Sequence, residues 1–297
     1  MTRKPDILCI GAVLWDVIGR SPAVMRLGSD VPGRIARLPG GVAMNIAMTL
    51  ARFGMTPALL GVVGRDSEGD ALIEEAGQLG LISDTLYRST DLPTDVYMAI
   101  EGANGLIAAI ADAHSLERAG AKILAPLSDG RLGSEAQPWH GPVALDGNLT
   151  VELLHEIAAS PLFARADLRV APASPGKAER LLALLEHPAA TLYVNLEEAG
   201  ILCQSEFDTS EAGAQGLLAR GARRVLVTDG ARAVTLAGPE GTYTQHPPEV
   251  MAARVTGAGD TFMAAHVASE AAGMTPEAAL TRAVKAAARY VSGDMPQ

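Results

Sequence analysis

The feature that most constrains this chain is a rhythm. Short apolar runs alternate with stretches of helical periodicity almost from end to end. Parallel strands need crossover connections, and a sheet covered on both faces has strands that are apolar without interruption, so this alternation predicts a parallel sheet with helices on both sides. The strand-like runs are residues 7–13, 58–63, 122–127, 143–146, 168–171, 192–196 and 224–228. Helical patterns fall at 42–53, 68–78, 150–159, 177–186, 210–220, 258–272 and 276–291.

Two segments break the rhythm. "RLGSDVPGRIARLPGG" and "TDVYMAIEGANGLIAAIAD" read as extended chain, and the second turns back on itself at Ala103-Asn104-Gly105. The two could pair into a small separate sheet. The Gly/Pro/Ser-rich stretch 125–142 reads as a surface connection, and no repeat or low-complexity linker is present. With 297 residues and 48% hydrophobic content there is ample material for a core. The 24 basic and 34 acidic residues leave a net charge of −10, which argues against nucleic acid or anionic membrane as partner. The apolar start at 7–15 is too short for a signal peptide and reads as a buried first strand. No run reaches the roughly 18 apolar residues of a membrane span. Cys9 and Cys203 are too few for a disulfide framework, so a cytoplasmic protein is expected.

The familiar nucleotide fingerprints are missing. "GAGDTF" lacks the third glycine of the dinucleotide motif, "PASPGKA" lacks the first glycine and the hydroxyl residue of a P-loop, and "HEIAA" has no second histidine for zinc. The six histidines, His114, His140 and His266 among them, show no metal spacing, and a packed or surface role suits His266. Five clusters instead stand at strand ends or helix starts, where open α/β sheets place ligands. Asp16 follows the first apolar run. Gly40 and Gly41 precede a helix whose first turn holds Asn45. Asn195 and Glu198 lie three apart past a strand, a spacing that also suits a helix-capping pair. Thr228 and Gly230 end another strand in "VTDG". In "RVTGAGDTF", Gly257, Ala258 and Gly259 bring backbone N–H groups and Asp260 together at the mouth of an apolar helix, where an acid can equally be an ordinary cap.

Taken together, "GGVAMNIAMTLARFGMTPALLGVVG", "NLEE", "VTDG" and "VTGAGDTF", in this order, resemble the PfkB, or ribokinase-like, family of small-molecule kinases over nearly the whole chain. The resemblance implies one kinase domain over 1–297 with a three-layer ribokinase-like fold, its central sheet mostly parallel, and a β-sheet lid built from about 17–38 and 93–112. It implies ATP and Mg²⁺, with Asp260 as general base and Gly257, Ala258 and Gly259 as donors to the transferring phosphoryl group. Asn195, Thr228, Gly230 and Thr256 would lie along the nucleotide, and Glu198 would hold Mg²⁺ through water. Asp16, Gly40, Gly41 and Asn45 would bind the sugar hydroxyls. Many members carry Asp-Thr where this chain has Arg254-Val255, and that Asp belongs to a monovalent cation site. The substitution implies that Arg254 replaces the cation or makes it unnecessary.

Within the family the pattern is most similar to pseudouridine kinases, through the hairpin followed by "AAIAD", through "ALDGNL" with Asp146 and Asn148, and through "SPGKAERL" with Lys177. That likeness implies phosphorylation of the 5′-hydroxyl of a C-linked ribonucleoside, with Asn148 near it and Tyr97 or Asn104 of the lid as contacts to the base. Another sugar or nucleoside as acceptor, or a non-catalytic binding protein on the same scaffold, stays open. The apolar residues of the hairpin are compatible with a homodimer through the lid.

Overall fold

Parallel central strands need side chains that can be buried on either face, and the runs Ile7–Ile10 (β1) and Pro57–Leu60 (β4) are buried at every position. Alternate residues enter opposite layers. Leu8 and Ile10 join one core while Ile7 and Cys9 join the other. Each such aliphatic side chain contributes about 1.5–3 kcal/mol on leaving water.

The computed structural model describes residues 3–26, 28, 30–254 and 256–294. Between β1 and β4 lie Leu14–Arg20 (β2) and Arg34–Gly40 (β3). Val62–Gly64 (β5), Tyr87–Ser89 (β6), Val96–Gly102 (β7) and Gly105–Asp112 (β8) follow. Then come Pro142–Asp146 (β9), Asp167–Ala171 (β10), Ala190–Asn195 (β11), Arg224–Thr228 (β12), Val234–Gly238 (β13) and Gly241–Gln245 (β14). The large sheet has the order β14-β13-β12-β11-β10-β9-β1-β4, parallel from β12 to β4 and antiparallel at β13 and β14. The helices are Val42–Arg52 (α1), Ser67–Gln78 (α2), His114–Ala119 (α3), Val151–Ala159 (α4), Leu196–Cys203 (α5), Ser210–Ala219 (α6), Ala258–Ala271 (α7) and Pro276–Ser292 (α8). Residues of α1, α2, α7 and α8 fill the core on one face, and those of α3 to α6 fill the core on the other. This is the three-layer α/β arrangement expected.

The two irregular segments enter one small sheet, but they do not pair with each other, because β2 lies between β3 of the first and β7 of the second. The second sheet has the order β3-β2-β7-β8, with β2 and β7 parallel and the turn of the β7–β8 hairpin at Ala103-Asn104. Several expectations need correction. The run 58–63 is not one strand but divides at Gly61 into β4 of the large sheet and β5, which pairs with β6 alone, and the helical pattern 177–186 falls in a 3₁₀ helix, Pro175–Leu184. Residues 122–127 are not a strand but part of a 3₁₀ helix, Gly120–Leu127, because Pro126 has no N–H to give a sheet. The first strand stops at Ile10, and after Gly11 the chain leaves the large sheet for the small one. The β13–β14 hairpin adds two antiparallel strands that the alternation of strand and helix does not predict, β13 buried beside β12 and β14 a mostly polar edge. Among the described residues no helix is long and apolar enough to cross a membrane.

Helix α7 is enclosed, with Thr261 through Ser269 all buried. Its far end is clamped to the sheet by ions: Glu270 takes Arg224 Nη2 at 2.5 Å and also pairs with Arg169, which in turn reaches Asp167 at 2.5 Å and Tyr193 Oη at 3.2 Å. His266 sits in the same cluster, its Nδ1 2.9 Å from Tyr193 Oη, and burial pushes it down to about 3, so it is a neutral packed histidine. The two guanidinium groups hold the Glu270 carboxyl at about 2, against the outward push of burial. A carboxyl depressed on folding stabilises above its unfolded value, near 4.5, and that contribution is lost as pH falls toward 2. Glu270→Ala removes the acid that two buried arginines share, leaving Arg169 with Asp167 and Arg224 with Glu240 at 3.4 Å, and is expected to lower stability by about 2 kcal/mol or more at pH 7 in urea unfolding. A loss under about 1 kcal/mol would contradict the clamp.

Candidate active site

Strand β1 has β4 on one side and β9 on the other, so the chain changes direction across the sheet between β1 and β9. A crevice opens at the carboxyl ends of strands at such a point. Here the backbone after β1 is pinned, with Ala12 N donating to Asp146 Oδ2 at 2.8 Å and Ala12 O accepting from Met44 N at 3.3 Å. Gly41, the residue before α1, has φ 91°, and a Cβ there would stand 2.4 Å from Ala12 O. A Cβ on Gly40 would stand 2.1 Å from Asp16 Oδ2. The two glycines therefore let the Asp16 carboxylate and the Ala12 backbone crowd against the start of α1. From that helix's first turn Asn45 Nδ2 donates to Asp260 Oδ2 at 3.0 Å, joining residues 215 positions apart.

The start of α7 is shaped by a second close approach. Gly257 has φ 87°, and a Cβ on it would lie 2.6 Å from Tyr290 Oη, which donates to Thr256 O at 2.8 Å. No side chain caps this helix, so its first N–H groups are open to an anion. At Gly259 a Cβ would meet no protein atom within 4 Å. Packing within the protein therefore does not require glycine there.

Three carboxylates meet at this crevice. Asp146 is wholly buried and accepts from Asn148 N at 2.7 Å and Asn148 Nδ2 at 2.8 Å as well as from Ala12, yet burial still raises its pKa. Burial pushes Asp16 up to about 6. Asp260 keeps part of its surface open, but the surrounding protein strips most of its hydration and pushes it up to about 7. The bond from Asn45 opposes that rise, and the charges of Asp146 and Asp16 reinforce it. Lys177 Nζ, 2.5 Å from Asn148 Oδ1, brings a compensating cation to Asp146.

A second group lies farther along the same sheet ends. Asn195 and Thr228 are register neighbours on β11 and β12. Asn195 and Glu198 form a reciprocal cap on α5, with Glu198 N giving to Asn195 Oδ1 and Asn195 N giving to Glu198 Oε2, both at 2.8 Å. The capping pattern in the sequence is thus realised, and burial leaves Glu198 at about 7. Gly230 turns with φ 56° beside open space.

The positions singled out in the sequence thus gather into two groups, Asp16, Gly40, Gly41, Asn45, Asn148 and Asp260 around Asp146, and Asn195, Glu198, Thr228 and Gly230. Tyr97 sits beside Asp16 in register on the small sheet. Asn104 does not face the crevice group: its amide is spent on Met25 N and O at the hairpin turn. Arg254 stacks on Tyr290, 3.9 Å from the ring, and its Nε donates to Tyr290 O at 2.8 Å, while Val255 lies outside the described residues. Tyr290 was missed in the sequence because it sits 30 residues past Asp260, on α8, in no recognisable motif.

A carboxyl raised on folding binds its proton more tightly in the native state, so between about 4 and 7 Asp260 makes stability fall as pH rises. Asp260→Asn is expected to raise the melting temperature by about 2–4 °C above pH 7 and to leave it unchanged below pH 4. Scanning fluorimetry across that range reads the difference, and a lower melting temperature for the variant at pH 8 would contradict the strained carboxylate.

Known proteins resemble this chain in sequence and fold. The chain is 32% identical to the pseudouridine kinase of Arabidopsis thaliana over 100 residues, 34% of this chain and 26% of that protein, so it matches about a quarter of that relative's length. It is 28% identical to the pseudouridine kinase of Escherichia coli K12 over 283 residues, 89% of this chain and 83% of that one. A solved carbohydrate kinase from Agrobacterium tumefaciens superposes with a TM-score of 0.80 at 27% identity, covering 97% of this chain and 93% of its own. The model of the pfkB family carbohydrate kinases matches residues 4–294, and the chain belongs to that family.

Proposed function

We propose that the chain is an ATP-dependent kinase that phosphorylates a hydroxymethyl group of a ribonucleoside, with pseudouridine as the acceptor and its 5′-hydroxyl as the nucleophile. The observation that carries the reading is the juxtaposition at α7 of an uncapped helix start and a carboxyl held near 7. A base titrating near the working pH combines enough ionised form with enough basicity to take a proton in the transition state. In this reading Asp260 takes the proton of the acceptor hydroxyl as its oxygen bonds to the γ-phosphorus. The bond from that phosphorus to the bridging oxygen breaks, and ADP leaves with the electron pair. The N–H groups of Gly257, Ala258 and Gly259 receive the charge that gathers on the equatorial oxygens.

Asp16, Gly40, Gly41 and Asn45 hold the sugar hydroxyls, with Asn148 beside the reacting one and Tyr97 toward the base. Asn195, Thr228, Gly230 and Thr256 line the nucleotide. Glu198 fits a magnesium site of the water-mediated kind, being a buried acid with one oxygen engaged and a pKa raised by burial, a rise that a bound cation would oppose. Mg²⁺ supplies charge compensation to the triphosphate when bound. Residues 1–297 act as one kinase domain, and segments 17–38 and 93–112 act as its lid. Exposed Ile35, Met98, Leu106 and Ile110 on the small sheet favour pairing of two copies through that lid. The two pseudouridine kinases among the relatives support the choice of acceptor.

The test is ADP release with a panel of pseudouridine, uridine, adenosine, ribose and fructose. Pseudouridine is expected to give the highest kcat/KM, and Asp260→Asn to lower kcat by about 10²–10⁴-fold. Turnover on ribose equal to that on pseudouridine contradicts the nucleoside reading. If the wild type binds these compounds yet releases ADP no faster than Asp260→Asn does, the kinase reading is contradicted and a sugar-binding regulator is left. The pH profile of kcat/KM is expected to rise to a plateau with a midpoint near 7. Because Arg254 stands where relatives place an acid for a monovalent cation, replacing potassium by tetramethylammonium should change the rate less than twofold. A tenfold drop would contradict that role.

A further inference from the structure

A pocket of about 280 Å³ lies between the β5–β6 pair and the 3₁₀ helix Gly120–Leu127, and it shares no residue with the site above. Arg65, Arg88, Lys122 and Arg131 surround it, and no acid lines it. In a chain of net charge −10 this is a local excess of cations. Two of the four are already held. Arg88 pairs with Asp70 at 2.6 Å and donates to Gly64 O, and Arg131 pairs with Asp129 at 2.7 Å and donates to Asp84 O. Those bonds fix the two forks in place. Arg65 and Lys122 have no acid partner within 4 Å among the described residues, and the nearby Asp91 feels Lys122 only at longer range. The floor is different in character: Leu86, Tyr87, Ala125 and Pro126 present apolar surface, with Lys122 Nζ 5.7 Å from the Tyr87 ring.

We propose that this pocket binds a small organic phosphate monoester, its phosphate between Arg65 and Lys122 and its carbon skeleton against Tyr87 and Pro126. The charge fits a dianion, because guanidinium and ammonium groups with no competing carboxylate match phosphate in both charge and donor geometry. The size fits a five- or six-carbon ester and is at the small end for ligand pockets. The floor distinguishes an organic ester from the bare ion. The pocket also meets the chain where it heads into the small sheet: β6 ends at Ser89, whose Oγ takes Leu92 N, and Thr94 N donates to Asp66 Oδ2 at 2.8 Å just before β7. An occupant there would lie against Tyr87 and Arg88 of β6, next along the chain to the segment that carries β7.

The test is isothermal titration of the full chain with ribose 5-phosphate and, separately, inorganic phosphate, using wild type and the Arg65→Ala/Lys122→Ala double variant. Both side chains are exposed, so the variant is expected to fold, with a melting temperature and basal ADP release like wild type. Ribose 5-phosphate should bind wild type at least tenfold more tightly than the variant, and more tightly than inorganic phosphate does. A saturating ATP analogue should leave that difference in place, since the kinase site is elsewhere. Equal binding by wild type and variant, loss of the difference when the ATP analogue is present, or equal affinity for inorganic phosphate would each overturn the assignment. If the double variant fails to fold, Lys122→Gln alone, which removes one charge at an exposed position, is expected to weaken binding at least threefold, and no change would overturn it.

Discussion

Everything in the site depends on the burial of three carboxylates in one poorly hydrated crevice, to which their mutual repulsion adds at Asp260. Asp16 arrives from the small sheet, Asp146 from the end of β9 and Asp260 from the start of α7. Left alone, three such charges would push apart or take up protons. The structure holds them with directed N–H groups instead, from Ala12 and Asn148 to Asp146 and from Asn45 to Asp260. What remains uncompensated is a carboxyl at Asp260 near 7, which is the property a proton acceptor at neutral pH requires.

Helix α7 makes that arrangement rigid. Asp260 sits at its open start and Glu270 ten residues later, about 15 Å along the axis. One end is tied to Arg169 and Arg224 of the sheet, while the other touches α1 through Asn45 and α8 through Tyr290. A helix buried from Thr261 to Ser269 cannot shift its register without opening the core on that face. The position of the N–H groups at its start is therefore set by packing that is remote from any ligand.

Much of this was legible in the sequence, for identifiable reasons. Strands buried on both faces are continuous apolar runs, so β1, β4 and β9 to β12 show themselves, and glycines next to polar residues at strand ends mark the crevice. An apolar run is ambiguous by itself, however, and residues 122–127 satisfied the pattern while Pro126 steered them into a 3₁₀ helix. The edge strand β14, Gly-Thr-Tyr-Thr-Gln, has no such run to announce it, and β13 is read only as part of the hairpin that β14 completes. What the sequence cannot carry is pairing across distance. Nothing near Asp260 names Asn45 as its partner, nothing near Gly257 names Tyr290, and the ion cluster on Glu270 joins residues up to 103 positions apart, from Asp167 to Glu270. The Asn195–Glu198 pair shows the opposite limit, since a local spacing predicted both a cap and a ligand site, and the cap is what the bonds form.

The most direct test of the central claim is a crystal structure with a non-hydrolysable ATP analogue and a nucleoside acceptor bound together. The account predicts the terminal phosphate oxygens about 3 Å from the N–H groups of Gly257 to Gly259, and the Asp260 carboxylate within about 3 Å of the acceptor hydroxyl. A triphosphate lodged at another helix, or an Asp260 side chain turned from the acceptor, would contradict it.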